Sequence, residues 1–357
     1  MSEPKKTPLA KRHEELGGKM VDFSGWYLPV QYPTGIIAEH NNTRNEVSIF
    51  DVSHMGEILV EGAGAEAFVQ SLVTNDIAKI HSGRAVYSPM CYENGTCVDD
   101  LIVYPWKDGN IFIVVNAAND DKDFEWIKSH APAGVKVTHL SDKYGQIALQ
   151  GPKAKDVMEK IGLSDANALK FFGAGFFTLC CVECIISKTG YTGEKGFEIY
   201  MPAEKTVEIW NVLLDAGAKP AGLGARDTLR FEACLPLYGH EISDAIRPDE
   251  ANLGFFIKPD THDFIGKEAL LATPPARKQI GLDFKGRGVA RNGFPVYANG
   301  KQVGYVTTGS PSPTTGKTLA LAIIDAATPD DAEFAIEVRG KLEPAALLPT
   351  PFYKNSK

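Results

Sequence analysis

Residues 84–105 read Arg84-Ala85-Val86-Tyr87-Ser88-Pro89-Met90-Cys91-Tyr92-Glu93-Asn94-Gly95-Thr96-Cys97-Val98-Asp99-Asp100-Leu101-Ile102-Val103-Tyr104-Pro105, and this stretch decides the fold class. Two strand-like runs, 84–92 and 97–105, flank Glu93-Asn94-Gly95-Thr96. Asn-Gly supplies the positive backbone angles of a tight hairpin, so the two runs are antiparallel neighbours. Downstream, Ile111-Phe112-Ile113-Val114-Val115 is a further strand. A helix follows, opened by Asn119 or Asp120 as N-cap with Phe124 and Ile127 on one face, and Val135-Lys136-Val137 closes the unit. Upstream, Glu57-Ile58-Leu59-Val60 leads through Gly62 and Gly64 into 65–73, which has helical spacing. Strand, helix, several strands, helix, strand predicts an antiparallel sheet with helices on one face, an α+β arrangement.

The next section repeats the theme. Gln146-Ile147-Ala148-Leu149 reads as a strand, and Gly151-Pro152 opens a helix with proline in its first turn. A long strand region covers 176–187, the turn segment 189–196 follows, and Phe197-Glu198-Ile199-Tyr200-Met201 is again a strand. Residues 203–216 form an amphipathic helix with Val207, Trp210 and Leu213/Leu214 inward and Gly217 as its stop. Another helix is expected over 225–235. After Thr273-Pro274-Pro275-Ala276, a linker by composition, short strands alternate with turns at 278–284, 298–301, 303–308, 318–324, 333–338 and 343–348. That pattern predicts an all-β sandwich or barrel.

With 357 residues the chain is long enough for two or three domains. A net charge of −8 argues against nucleic acid as a partner, because phosphate affinity needs clustered Lys and Arg. No long uncharged apolar run is present, so no membrane span is expected. The N-terminus is basic and then charged, without the apolar centre of a signal peptide, and reads as the start of the folded chain. The six cysteines sit within hydrophobic stretches rather than in a spaced framework, which fits free thiols in a reducing compartment. The expected location is the cytoplasm, or the mitochondrial matrix for a eukaryotic source with its presequence removed.

No HExxH, phosphate loop or nucleophile elbow occurs. Gly222-Leu223-Gly224 lacks the third glycine and the context of a dinucleotide site. Cys181 and Cys184, three apart on an expected strand, face opposite ways and have no second pair, which argues against zinc. The informative feature is acids among apolar residues. In 98–104, period-two geometry puts Asp100 beside Val98 and Ile102, and Asp99 beside Leu101 and Val103, so burying either face buries a carboxylate. Such a carboxylate must be paired, neutralised or given donors. Glu198 poses the same question. A buried ion pair to Arg226 or Arg230 would answer it structurally, and a ligand would answer it functionally. Asp227 with Arg230 is a helical i,i+3 pair. Arg226 in a first helical turn opposes the helix dipole, and a bound anion would explain it. His54 could be catalytic or a packed, hydrogen-bonded residue. The aromatic stretch 23–33 reads as core or as a wall for a flat ring.

Taken together, these segments resemble one family. Gly18 to Trp26, Phe50 to Glu57, Asp99 to Tyr104, Val115 to Asn119, Thr189 to Glu198, Gly222 to Arg230, Leu237 to Glu241, Ser310 to Pro313 and Pro351 to Tyr353 look like the T-protein family of the glycine cleavage system, in consistent order over 8–353. The resemblance implies a three-domain cloverleaf: two antiparallel-sheet α+β domains and a C-terminal barrel-like all-β domain. The units would be a discontinuous folate-binding domain of 1–55 plus 140–272, a ferredoxin-like domain of 56–139 and a barrel of 277–357. It also implies an aminomethyltransferase that takes the aminomethyl group from the lipoyl arm of H-protein, releases ammonia and forms 5,10-methylenetetrahydrofolate. Tetrahydrofolate would sit in a central channel, with Asp100 as the catalytic residue near the reacting nitrogens and Glu198 on the pterin donors. Met55, Tyr87, Asn116, Tyr191, Arg226 and Tyr353 would complete the folate site, without metal. Lys195 stands where the family often has an acid, and Phe171-Phe172 where some members carry tyrosines. The alternatives are a folate-dependent demethylase of the same superfamily and a non-catalytic folate-binding protein. A flavin oxidase is disfavoured because the fused dinucleotide-binding domain is absent.

Overall fold

The computed structural model describes residues 3–355. The Asn94-Gly95 turn forms as its chemistry requires: Gly95 takes φ 84°, and the strands Val86–Cys91 and Cys97–Pro105 pair antiparallel. The ladder carries one irregularity. Asp99 stands opposite Met90 while Cys97 stands opposite Cys91, so Val98 is an extra residue, a β-bulge. The Lys122 ammonium donates to the Val98 carbonyl at this point. The alternation restarts after the bulge. Val98 therefore packs with Leu101 and Val103 in a core, not beside Asp100 as strict period two predicts. Asp100 shares its face with Ile102 and Tyr104, which meet a different cluster.

This hairpin belongs to a five-stranded sheet in the order Val86–Cys91, Cys97–Pro105, Ile111–Val115, Gly56–Glu61, Lys136–His139. Helices Ala65–Leu72 and Asp120–Ser129 supply Phe68, Val69, Leu72 and Ile127 to the core on one face. Asn119 stands at the N-cap as expected, but its side chain makes no cap hydrogen bond and donates to Asp99 instead. The second sheet has six strands in the order Ala174–Leu179, Val182–Ser187, Gly196–Pro202, Tyr144–Gln150, Ser48–Asp51, Lys219–Pro220. One face closes a core with helices Ala154–Lys160 and Thr206–Asp215.

Three local readings of the second sheet change. The run 176–187 is a hairpin rather than one long strand, broken at Cys180 and Cys181 (φ 51° and 60°); Cys181 is exposed on the turn and Cys184 buried. Pro152 lies ahead of its helix, which begins at Ala154. Val207 is exposed because the inward stripe runs Thr206, Ile209, Trp210, Leu213, the i, i+3, i+4, i+7 positions of one helical face. The helix expected over 225–235 spans Leu223–Glu232.

The other faces of the two sheets look at each other. Tyr104, Phe112 and Val114 from the first pack with Ile185 and Tyr200 from the second, and Trp106, Tyr144 and Phe176 fill the margins. Both sheets are thus covered on two sides, which is why their central strands are nearly continuous in apolar residues. Six strands after residue 276 form a closed barrel in the order Arg277–Phe284, Thr318–Asp325, Lys301–Pro311, Pro295–Ala298, Phe334–Val338, Lys341–Leu348. Closure removes the open edges a sandwich would leave. The barrel is tied to the helix Leu223–Glu232 by buried polar contacts. Arg230 reaches Glu241 at 2.9 Å and Thr308 at 3.2 Å, and Glu232 accepts from Ser312 at 2.6 Å. The result is a three-lobed α+β cloverleaf. No described helix is long and apolar enough to cross a membrane.

Candidate active site at the meeting of the lobes

Asp100 lies just beyond the bulge on the face turned toward the second sheet. Its carboxylate accepts from the Tyr87 phenol at 2.9 Å and from Asn116 Nδ2 at 2.6 Å. The neighbouring Asp99, fully buried, accepts from the Asn116 backbone amide (3.0 Å), Asn116 Nδ2 (2.8 Å) and Asn119 Nδ2 (2.9 Å). Adjacent residues on one strand thus divide the work. Asp99 is a structural acceptor of three donors. Asp100 keeps acceptor capacity toward the space between the sheets. Burial, and then the negative field of Asp99, push the Asp100 carboxyl up to about 7, against the pull of its Tyr87 and Asn116 donors.

Facing it from the second sheet is Glu198. Thr189 Oγ1 donates to one of its oxygens at 2.5 Å and Gln146 Nε2 to the other at 3.2 Å. Neither arginine that could have neutralised it does so by contact: Arg230 is committed to Asp227 and Glu241, and Arg226 forms no ion pair among the described residues. Burial raises the Glu198 carboxyl, and Thr189, Arg226 and Gln146 oppose that rise. The structural alternative of a direct Glu198–Arg ion pair therefore does not hold.

Arg226 opens the helix Leu223–Glu232 after Gly222, half-buried, with its guanidinium over the Tyr191 ring at 4.7 Å. Gly222 and Gly224 lie so close to the Pro29 and Val30 carbonyls that an added Cβ would meet them at 2.6–3.0 Å, which lets the helix start lie against the Trp26–Gln31 strand. Tyr191 donates to the Pro236 carbonyl. His54 is buried with Nδ1 unpartnered, held neutral as burial and the nearby Arg226 charge lower its pKa to about 4. Met55 packs where the clusters of the two facing sheets meet.

Asp100, Tyr87, Asn116, Met55, Tyr191 and Arg226 are all half-buried although set among buried residues. Tyr353 is half-buried as well. Its phenol donates to Glu194 at 2.6 Å and its ring lies under the Arg44 guanidinium at 3.8 Å, fastening the C-terminal tail to the turn that carries Tyr191. Phe172 packs beside the site with φ 62°, while Phe171 is 69% exposed. Sequence reasoning missed Gln146 as a partner of Glu198. The signal was there, a polar residue on an apolar strand, the same cue that singled out Asp100.

Two α+β lobes whose sheets pack face to face beside a closed barrel define a three-lobed cloverleaf protein. Residues 9–261 match the GCVT N-terminal domain family and residues 277–354 the glycine cleavage T-protein C-terminal barrel domain. The chain is 46% identical over 364 residues to an aminomethyltransferase of Natranaerobius thermophilus, covering 99% of this chain and 100% of the relative. It is 47% identical to those of a Geobacillus species (99% and 100% covered) and Listeria monocytogenes (100% and 100%). The crystal structure of the glycine cleavage system aminomethyltransferase T of Bartonella henselae superposes with a TM-score of 0.91 at 33% identity, covering 98% of each chain. This chain belongs to the glycine cleavage T-protein family. It is a tetrahydrofolate-dependent aminomethyltransferase.

Proposed function

We propose that the one-carbon transfer takes place beside Asp100, with Tyr87 and Asn116 orienting its carboxylate and Glu198, Arg226, Tyr191 and Met55 holding the folate. The observation that carries this reading is the pair of carboxylates, Asp100 and Glu198, on the facing sides of the two sheets, with no cation in ion-pair contact with either among the described residues. Bound tetrahydrofolate supplies the nitrogens that accept the one-carbon unit. Its ring presents an amide N–H and an amino group in parallel, which suits the free lone pairs of Glu198. Arg226, lacking an acceptor among the described residues, suits an anionic or carbonyl group of the same ligand. Asp100 stabilises the positive charge that develops as ammonia leaves, because a fixed carboxylate in a poorly solvated site needs no reorganisation. Tyr353 belongs to the same site and secures the Tyr191 turn through Glu194 and Arg44.

The donor is the aminomethyl group on the lipoyl arm of H-protein, a reading that membership of the glycine cleavage T-protein family supports. The working units are 1–55 with 140–272, 56–139, and 277–357. The free cysteines support a reducing compartment, the cytoplasm or a mitochondrial matrix. The test is methylenetetrahydrofolate formation from aminomethyl-loaded H-protein, measured over a salt series. Turnover should fall as salt rises if docking is partly electrostatic. Equal turnover on a small free aminomethyl thiol would rule out a specific docking surface, and turnover on a free methylated amine would identify a demethylase.

A further inference from the structure

Five polar groups close into a single ring with Glu198. Gln146 Nε2 donates to the Tyr200 phenol at 3.1 Å, and Tyr200 meets the Tyr104 phenol at 2.9 Å. Tyr104 meets Ser187 Oγ at 3.3 Å, Ser187 meets Thr189 Oγ1 at 2.6 Å, and Thr189 donates to Glu198 Oε2 at 2.5 Å. The second proton of Gln146 Nε2 goes to Glu198 Oε1 at 3.2 Å and completes the circuit.

The proton order follows from the two ends. Tyr200 receives from Gln146 and must pass its own proton to Tyr104. Thr189 gives its proton to Glu198 and must receive one from Ser187. Every donor therefore points one way, and both branches end on the carboxylate. Such a chain polarises each bond in turn, and it places one donor on each Glu198 oxygen. Gln146, Ser187, Thr189, Glu198 and Tyr200 are all buried, so bulk water cannot substitute for a missing member. Gln146 Oε1 is buried with no donor, on the same side of the sheet as Glu198.

We infer that Gln146 and Thr189 are positioning residues for folate recognition. By holding one lone pair on each Glu198 oxygen, they leave the other two as a fixed double acceptor, and so set the site's preference for a pterin bearing a 2-amino group. Tyr104 is the only member of the ring from the first sheet, so the ring also pins the spacing of the two sheets at the site.

This inference rests on the reading that Glu198 meets the pterin donors, and the experiment separates the two. Dissociation constants are measured for tetrahydrofolate and its 2-desamino analogue with the full chain, Thr189→Val, Thr189→Ser and Gln146→Met. The parent should favour tetrahydrofolate by about 10–100-fold, the range set by a hydrogen bond to a charged group. Thr189→Val and Gln146→Met should each shrink that ratio severalfold, and Thr189→Ser should retain it. Thr189→Val should also lose tetrahydrofolate at a higher pH than the parent, because a carboxylate stripped of a donor protonates earlier. Equal weakening toward both ligands, with the ratio preserved in Thr189→Val and Gln146→Met, would show a merely structural role and overturn the inference. Should Thr189→Val fail to fold, Gln146→Met decides by the same ratio. A parent that binds both ligands equally would instead remove Glu198 from the pterin edge, and the positioning role with it.

Discussion

The Arg226 guanidinium lies over the Tyr191 ring, 4.7 Å from its centroid, and meets no carboxylate among the described residues. A stacked arginine left without an acceptor among the described residues contrasts with Arg230 one turn on, which is buried and paired with Asp227, Glu241 and Thr308. Cation–π contact at a partly exposed ring is worth only about 0.5–1 kcal/mol. Arg226→Ala should therefore leave the melting temperature of the free protein within a few degrees of the parent, while weakening tetrahydrofolate binding about tenfold or more, as loss of a charged hydrogen bond does. Calorimetric titration and a thermal shift with and without folate check both halves. Unchanged folate affinity would make the arginine a structural residue.

Asp100 leads to a prediction with a pH sign. Its carboxyl, raised to about 7 by burial and by Asp99, holds its proton in acid and ionises as pH climbs through neutrality. If the anion is the working form, turnover rises across that window. Asp100→Asn should flatten this limb and lower kcat by about two to four orders of magnitude, with folate affinity changed far less. Stability runs the other way. An unfolded aspartate ionises near 3.9, so a raised native pKa favours folding below that value and costs stability as pH rises toward 7. Asp100→Asn should consequently melt no lower than the parent at pH 8. A variant that loses activity only because it unfolds would fail that comparison.

Asp99 should behave differently. Its carboxylate takes three donors from Asn116 and Asn119, tying the end of the Ile111–Val115 strand and the start of the next helix to the bulge. Asp99→Asn turns an amide toward those donors and should destabilise by about 1–3 kcal/mol. It also removes the negative neighbour of Asp100, so the activity limb should move to lower pH. Should Asp99→Asn abolish turnover while Asp100→Asn spares it, the catalytic assignment moves one residue.

Glu57 is fully buried on the strand Gly56–Glu61, with neither carboxylate oxygen hydrogen-bonded. Burial, and then the Asp120 charge, raise its pKa well above the usual range. Since an unfolded glutamate ionises near 4.3, this group favours folding below that pH and costs stability as pH climbs above it. The melting-temperature difference between Glu57→Gln and the parent should therefore grow in favour of the variant from pH 4 to pH 8. A constant difference would mean that Glu57 is ionised in the native state.

Much of this molecule was legible because its signals are local. Asn94-Gly95 dictates a hairpin through backbone sterics within four residues. The alternation of strands and turns beyond residue 276 dictates an all-β unit in the same way, and the run of family segments carried the expectation of a folate site. The acids at 99, 100 and 198 announced themselves because a carboxylate on an apolar strand has to be accommodated. What accommodates them could not be read, for a physical reason. The bulge at Val98 arises because Cys97 pairs with Cys91 and Asp99 with Met90, and it decides which residues share a face with Asp100. Closed barrel rather than sandwich depends on one edge strand finding the other. Tyr353 sits with Glu194 and Arg44 because the tail returns across the whole chain. The ring on Glu198 gathers Tyr104, Gln146, Ser187, Thr189 and Tyr200 from two sheets, and no periodicity links residues 96 apart (Tyr104 and Tyr200). Local sterics and hydrophobic period act over a few residues and belong to the sequence. Which donors meet which acceptors in a site is set by packing two sheets face to face, and that was decided only by the tertiary structure.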